Sequence, residues 1–182
     1  MAKKVLVITG SPRAGGNSDM LAEAFIRGAE AAGHNVSRID AGREHVEGCK
    51  ACNQCFSDKG ACVFDVEFNA LAPLIQEADT VVISTPMYWF TFPAQLKAVM
   101  DKFYSFLIGK KPFMGEKECV LITCATAADE REFDGIVKTY EIIAEYLKWR
   151  DRGYLVVPGV KAKGDVAKTD ALAKAEALGR AI

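Results

Sequence analysis

The chain has 182 residues, of which half are hydrophobic and 26% are charged, and its formal net charge is −1. This length suits a single domain spanning residues 1–182. The near-neutral charge and the absence of a Lys/Arg run argue against binding to nucleic acid or to a membrane surface. No apolar run approaches the ~20 residues of a membrane helix, and the run after Lys4 is too short for a signal peptide. We therefore expect a cytoplasmic protein with reduced cysteines.

Short β-rich runs alternate with longer amphipathic runs along the chain. The pattern predicts strands at 4–10, 35–40, 80–86, 118–124 and 153–159, and helices at 18–32, 67–78, 93–107, 132–149 and 165–180. Three of the strand runs are almost continuously apolar, which is typical of parallel strands covered on both faces. The alternation predicts an α/β fold, a doubly wound five-stranded parallel sheet with helices on both faces.

The first strand leads directly into "GSPRAGGNSDMLAEAF" (10–25), a turn rich in Gly, Ser and Asn that precedes the first helix. Asn17 or Ser18 is the expected N-cap of that helix. Backbone N–H groups at a helix N-terminus, the hydroxyls of Ser11 and Ser18, the amide of Asn17 and the guanidinium of Arg13 together predict a phosphate site. The alternative interpretation is a capped turn that binds no ligand.

The turn lacks the residues that define two common phosphate-binding loops, and this narrows the class of phosphate ligand. It has no Lys followed by Ser or Thr, so it is not a Walker loop. Pro12 stands where a dinucleotide fingerprint has its second glycine and offers no N–H. Asp40, at the end of the second strand, does imitate the acidic ribose-binding residue, so a dinucleotide site is weakened rather than excluded. A terminal phosphate such as that of a mononucleotide fits best.

Two further loops follow strands that should end at the same edge of the sheet. The third strand ends in "STPMYWFTFPAQ", where aromatic residues lie on a loop, and such exposed rings suit a flat ligand such as an isoalloxazine. We expect Tyr88 and Trp89 to lie near that ring and Phe92 to pack in the core. The fourth strand ends in small residues that would let a ring approach the backbone. These residues are Cys124, Ala125 and Thr126.

Four of the six cysteines lie in the segment "CKACNQCFSDKGAC", within an irregular region at about 41–66. Their spacing is Cys49-x2-Cys52-x2-Cys55-x6-Cys62. Successive x2 intervals can wrap an iron–sulfur cubane, and a fourth thiolate completes its ligands. Zinc, a thioredoxin-like C-x-x-C pair and a metal-free thiol set are the alternatives. The other two cysteines, in the fourth strand, read as small buried hydrophobes.

Together, "GSPRAGGNS", "PMYWFTFPAQLKAVMDKF" and the cysteine segment resemble the NAD(P)H-dependent FMN reductase branch of the flavodoxin-like superfamily, and within it the iron–sulfur flavoproteins. The resemblance implies a flavodoxin-like sheet in the order 2-1-3-4-5, bound FMN, and electron transfer from NAD(P)H or a ferredoxin-type donor to an acceptor. It implies that Ser11, Arg13, Asn17 and Ser18 hold the phosphate and that Pro86, Met87, Tyr88 and Trp89 line the flavin ring.

The resemblance also implies a 4Fe-4S cluster on Cys49, Cys52, Cys55 and Cys62, and a homodimer or homotetramer. It implies no obligatory catalytic side chain, because hydride can pass directly to the flavin. A flavodoxin-like electron carrier without nicotinamide turnover and a cysteine-based redox or metal sensor remain as alternative functions.

Overall fold

A computed structural model describes residues 1–56, 61–108, 113, 115 and 117–182 of the chain. Its strands form a parallel five-stranded sheet in the order β2-β1-β3-β4-β5, which confirms the predicted fold class. They are β1 (Lys4–Thr9), β2 (Asn35–Ile39), β3 (Thr80–Pro86), β4 (Glu118–Cys124) and β5 (Arg150–Val157).

In the described residues, six α-helices cover the two faces of the sheet. They are α1 (Asn17–Ala31), α2 (Val66–Glu77), α3 (Ala94–Asp101), α4 (Tyr104–Ile108), α5 (Asp134–Leu147) and α6 (Ala171–Arg180). Successive strand side chains point to opposite faces, so Val5 and Val7 pack with α1 and α6, while Leu6 and Ile8 pack with α2, α3 and α5. Both faces are buried, which explains the continuous apolar runs. No helix in the described parts of the chain is long and apolar enough to cross a bilayer.

Three predicted elements differ from the observed ones. The helix predicted at 93–107 is divided into α3 and α4 by tight turns at 102–103, where the buried Lys102 pairs with Asp65. The sixth helix begins at Ala171 and not at 165, after a separate 3₁₀ turn at Asp165–Lys168. The fifth strand begins at Arg150 and not at 153, because an edge strand needs no continuous apolar run.

Candidate functional site

A cleft of about 300 Å³ opens beyond the carboxyl ends of β1, β3 and β4. This size suits a small-molecule or cofactor site, and the position is where doubly wound sheets bind ligands. It brings together all the predicted flavin-site residues except Trp89: Ser11, Arg13, Asn17, Ser18, Pro86, Met87, Tyr88, Cys124, Ala125 and Thr126.

The loop between β1 and α1 forms one end of the cleft. The Ser11 side chain is buried, and its Oγ accepts a hydrogen bond from the Arg13 N–H at 3.1 Å. The Gly15 N–H donates to Asp19 Oδ2 at 2.6 Å, which ties the loop to the first turn of α1. Gly42, in the loop after β2, packs against the Ser11 backbone so closely that a Cβ there would lie less than 3.0 Å from its carbonyl group. The contact with Gly42 therefore fixes the backbone of the β1–α1 loop, the predicted phosphate loop.

The predicted N-cap of α1 is wrong, since the helix begins at Asn17 with Gly16 as N-cap and no side chain caps it. The Asn17 carboxamide instead bonds to the loop that follows β5. Its Oδ1 accepts from the N–H groups of Gly164 and Val166, and its Nδ2 donates to the Ala162 carbonyl at 2.9 Å. The free N–H groups at the helix start therefore still face the cleft.

Two lysines that the sequence analysis did not single out also line the cleft. Lys161 and Lys163 lie on the loop that Asn17 anchors, and Lys163 Nζ donates to the Ala14 carbonyl at 3.1 Å. With Arg13 they make this end of the cleft positively charged, as an anion site requires. Sequence spacing could not reveal them, because about 150 residues separate the two loops.

Asp40 is engaged within the protein. Burial alone would raise its pKa, but hydrogen bonds from Thr9, Arg38 and Arg43 hold the pKa of this carboxyl below its usual value. Arg38 also pairs with Asp19 and Glu23. Asp40 therefore serves an ion-pair network beside the phosphate loop, which further weakens the dinucleotide interpretation.

The floor of the cleft is a strip of backbone from two neighbouring strands. The Met87 N–H donates to the Cys124 carbonyl at 3.0 Å, and Ala125 exchanges backbone hydrogen bonds with Val157 and Val160. Cys124 is buried, and burial raises the pKa of its thiol to about 12. The strip is rigid and has small side chains, so a flat ring could lie against it.

Trp89 lies outside this cleft. Tyr88 and Thr91 exchange two backbone hydrogen bonds of 3.0 and 3.1 Å, which makes a tight hairpin with Trp89 and Phe90 at its tip. The Trp89 side chain is 91% exposed and borders an adjacent cleft. Phe92, as predicted, packs in the core.

The predicted cysteine loop borders a separate cavity, the cysteine cavity, which four cysteines line. No helix or strand occurs in the described parts of 41–65, and positions 57–60 of the predicted loop lie outside the described residues. Cys49, Cys52, Cys55 and Cys62 border the same cavity. Burial first, and then the charges of the other three cysteines, raise the pKa of the Cys55 thiol.

Hydrogen bonds and an ion pair attach the cysteine loop to α2 and to Lys102. Asn69 of α2 holds Cys62 through hydrogen bonds of 2.7 and 2.8 Å to its N–H and carbonyl. Asp65 caps α2 through the Phe68 N–H, accepts from the Glu47 N–H at 3.0 Å, and pairs with the buried Lys102. Lys102 and Tyr104 also line the cavity.

The four thiols suit an iron–sulfur cluster or zinc in chemistry. Within the described residues, however, no three of the His, Cys, Asp and Glu side chains form a group that could hold a metal ion. Metal binding would thus require the loop to draw the thiols together. No helix begins within residues 52–56, the described part of the chain around Cys52 and Cys55, and this gives no support to the thioredoxin-like alternative.

A family model described as having a flavodoxin-like fold, Flavodoxin_2, matches residues 3–181. The chain belongs to this family.

Curated relatives of this flavodoxin-like chain include two iron–sulfur flavoproteins. One from Methanosarcina thermophila is 34% identical over 60% of the chain and 56% of its own length. One from Archaeoglobus fulgidus is 28% identical over 98% of the chain and 78% of its own length. A Bacillus subtilis protein, whose name proposes an NAD(P)H-dependent FMN-containing oxidoreductase, is 26% identical over 91% of the chain and 90% of its own length. The matched region thus spans little more than half of the first of these relatives.

Solved structures show the same fold. An NAD(P)H:quinone oxidoreductase from Methanothermobacter marburgensis superposes with a TM-score of 0.72 at 18% identity, over 99% of this chain and 96% of its own. An FMN-dependent NADH-azoreductase from Bacillus anthracis, in complex with FMN, gives 0.70 at 17% identity, over 97% of each chain. At this identity the similarity concerns the fold.

Proposed function

We propose that the protein is an FMN-dependent oxidoreductase that takes electrons from NAD(P)H or a ferredoxin-type donor. The observation that carries the proposal is the cleft at the carboxyl edge of the sheet, where a cationic loop at one end adjoins a flat backbone strip at the other. A mononucleotide with one phosphate and a planar ring has this distribution of charge and shape. Relatives named as FMN-containing oxidoreductases support the same assignment.

In this proposal Ser11, Arg13, Asn17 and Ser18, with Lys161 and Lys163, bind the phosphate. Pro86, Met87, Tyr88, Cys124, Ala125 and Thr126 contact the ring. Bound FMN would accept and release a hydride, and the protein would position it and exclude water. No side chain needs to act as acid or base.

The four loop cysteines support a second cofactor. We propose that Cys49, Cys52, Cys55 and Cys62 bind a 4Fe-4S cluster, because four thiols share one cavity and two of the relatives are iron–sulfur flavoproteins. An anaerobic preparation assayed for iron, sulfide and zinc tests this point. About four irons per chain support the cluster, whereas zinc alone or no metal contradicts it.

FMN titration and rapid mixing test the central proposal. Arg13→Ala should weaken FMN binding about thirtyfold, or ~2 kcal/mol, because a charge-assisted hydrogen bond to the phosphate is lost. The control is Arg27→Ala, which removes an exposed arginine of α1 that does not line the cleft; it should leave the FMN affinity unchanged.

Rapid mixing with NADPH or NADH separates an enzyme from an electron carrier, because only an enzyme that uses the nicotinamide would show rapid reduction of its flavin. A protein that does not bind FMN would refute the proposal.

A further inference from the structure

The cysteine loop holds three residues that carry side chains in the left-handed backbone conformation. Ala51, Asn53 and Phe56 have φ of 51°, 57° and 53°, and they are half of the six non-glycine residues with positive φ in the described chain. Asn adopts this conformation more readily than most residues, whereas it is rare for a bulky residue such as Phe. Such strain persists only where the surrounding structure enforces it, and it concentrates at functional sites and ligand clamps.

The three left-handed residues are neighbours of cysteines. Ala51 precedes Cys52, Asn53 follows it, and Phe56 follows Cys55. Positive φ is the conformation by which tight turns reverse the chain. The short x2 intervals can therefore return successive thiols to one place. That place is the cysteine cavity, because all four loop cysteines line it.

Helix α4 supports two of the left-handed residues. The Tyr104 hydroxyl donates a hydrogen bond to Asn53 Oδ1 at 3.3 Å. The Phe56 ring packs against the buried ring of Phe106 with 6.2 Å between the centroids, which is within the range of aromatic pairs. The described parts of 41–65 contain no helix or strand that could give this support. The conformation of the cysteine loop therefore depends on contacts with α4.

We propose that Asn53 and Phe56 are positioning residues, which hold the cysteine loop against α4 in the backbone conformation that binds an iron–sulfur cluster. The proposal rests on the proposed 4Fe-4S cofactor. Thiolate ligands make such a centre anionic. Backbone N–H groups around left-handed residues form concave nests that bind anions, and nests of this kind occur at iron–sulfur sites. Free thiols would need no such donors.

The proposal divides the work of binding between the backbone and the thiols. Among the described residues the cysteine side chains do not form a metal-binding group. The chain reversals at Asn53 and Phe56 are nevertheless already present. Binding then requires the thiols to approach one another on a backbone that is shaped in advance, and loss of a reversal should cost the cluster.

Substitutions at Asn53 test whether the backbone conformation matters. Asn53→Gly can keep a positive φ, whereas Asn53→Val cannot do so without strain, because Val is β-branched. After anaerobic reconstitution with iron and sulfide, the parent and Asn53→Gly should hold about four irons per chain, and Asn53→Val less than about one. The matched control is Gln54→Val, at the next position, which has no positive φ and should keep the parent iron content.

Tyr104→Phe tests the support from α4 and leaves the loop residues unchanged, so it also serves if Asn53→Val does not fold. It removes only the hydroxyl that bonds to Asn53. Transfer of iron from the reconstituted protein to a chelator should become about fivefold faster, because one hydrogen bond is lost. Asn53→Gly loses the same hydrogen bond and should show the same increase. A parent rate in Tyr104→Phe would contradict the support from α4.

The visible spectrum, the circular dichroism and the FMN affinity are measured in every variant. The FMN affinity should not change, since the cysteine cavity and the flavin cleft share none of their described lining residues. A folded Asn53→Val with the parent iron content would refute the positioning role. Loss of iron from Asn53→Gly or Gln54→Val to the same extent would also refute it. If the parent binds FMN but no iron, the cluster and this proposal both fail, while the FMN function stands.

Discussion

Lys102 and Asp65 are the least exposed ion pair among the described residues, at 4% and 1% side-chain exposure, with 2.7 Å between Nζ and Oδ2. The same carboxylate caps α2 and holds the Glu47 N–H at the entrance to the cysteine loop. One buried pair thus connects the break between α3 and α4 to the segment that carries the thiols.

Replacing Lys102 with Met should lower the free energy of unfolding by about 3–5 kcal/mol at pH 7, because the Asp65 carboxylate stays buried without its counter-charge. Lys97→Met, on the preceding helix α3, removes an exposed pair with Asp101 and should cost less than about 1 kcal/mol. Urea unfolding of both variants measures the difference. The double variant Lys102→Met/Asp65→Asn should recover part of the loss. Equal losses in the two single variants would show that the buried pair is not the cause.

At the scale of the elements, the sequence predicts the strands better than the helices. The runs at 80–86 and 118–124 are bounded as predicted, because strands buried on both faces are apolar throughout. The break between α3 and α4 could not be predicted, since Leu96, Val99, Phe103 and Leu107 keep helical spacing across it. Lys102, within the break, pairs with Asp65, a residue distant in sequence, and no local pattern indicates that contact.

In the candidate site too, the sequence predicted only the residues that lie in a recognisable local pattern. The Gly/Ser turn after β1 and the aromatic loop after β3 indicated most of the residues that line the cleft. The sequence did not indicate Lys161 and Lys163, because their loop lies about 150 residues after the β1–α1 loop. Hydrogen bonds from Asn17 to that loop place the two lysines beside the cleft. Asn17 was expected to cap its own helix, and no local signal distinguishes the two roles.

The loop after β2 provides an element-scale test of how the phosphate loop is held. Gly42→Ala should weaken FMN binding more than about tenfold, since the new Cβ would displace the Ser11 backbone on which the proposed phosphate contacts depend. Gly48→Ala, where a Cβ meets nothing within 4 Å, should leave FMN binding unchanged. Fluorescence titration gives both affinities, and circular dichroism checks that the fold is retained. A folded Gly42→Ala protein with the parent affinity would contradict this account.

Across the whole molecule, the two edges of the sheet have different roles. The carboxyl edge carries the candidate flavin cleft, while charged contacts at the amino edge join distant parts of the chain. Glu118, at the start of β4, lies 2.8 Å from Lys3 Nζ and 3.4 Å from Arg152 Nη1, and Arg152 in turn donates to the Ala181 carbonyl at 2.6 Å. This carboxylate therefore links β1, β4, β5 and the end of α6.

Because these ion pairs need a charged Glu118, their contribution to the free energy of unfolding should depend on pH. Burial alone would raise its pKa, but the hydrogen bond and charge of Lys3, with the charges of Arg152 and Arg150, lower the pKa below its usual value. A carboxyl whose pKa is lowered on folding contributes stability above its unfolded pKa of about 4.3, and this contribution is lost as the pH falls through the folded pKa. Glu118→Gln should therefore cost about 1 kcal/mol of unfolding free energy at pH 7, and the cost should be smaller at pH 3, below the unfolded pKa.

Urea unfolding of the parent protein and Glu118→Gln at both pH values measures this change. Asp40 and Asp65, whose pKa values are also lowered, are present in both proteins, so their contributions cancel in the difference. Glu30→Gln, which replaces an exposed glutamate on α1, is the control and should change the unfolding free energy at pH 7 by less than about 0.5 kcal/mol. A Glu118→Gln cost that stays the same at pH 7 and pH 3 would mean that the Glu118 side chain stabilises the sheet by packing and not by its charge.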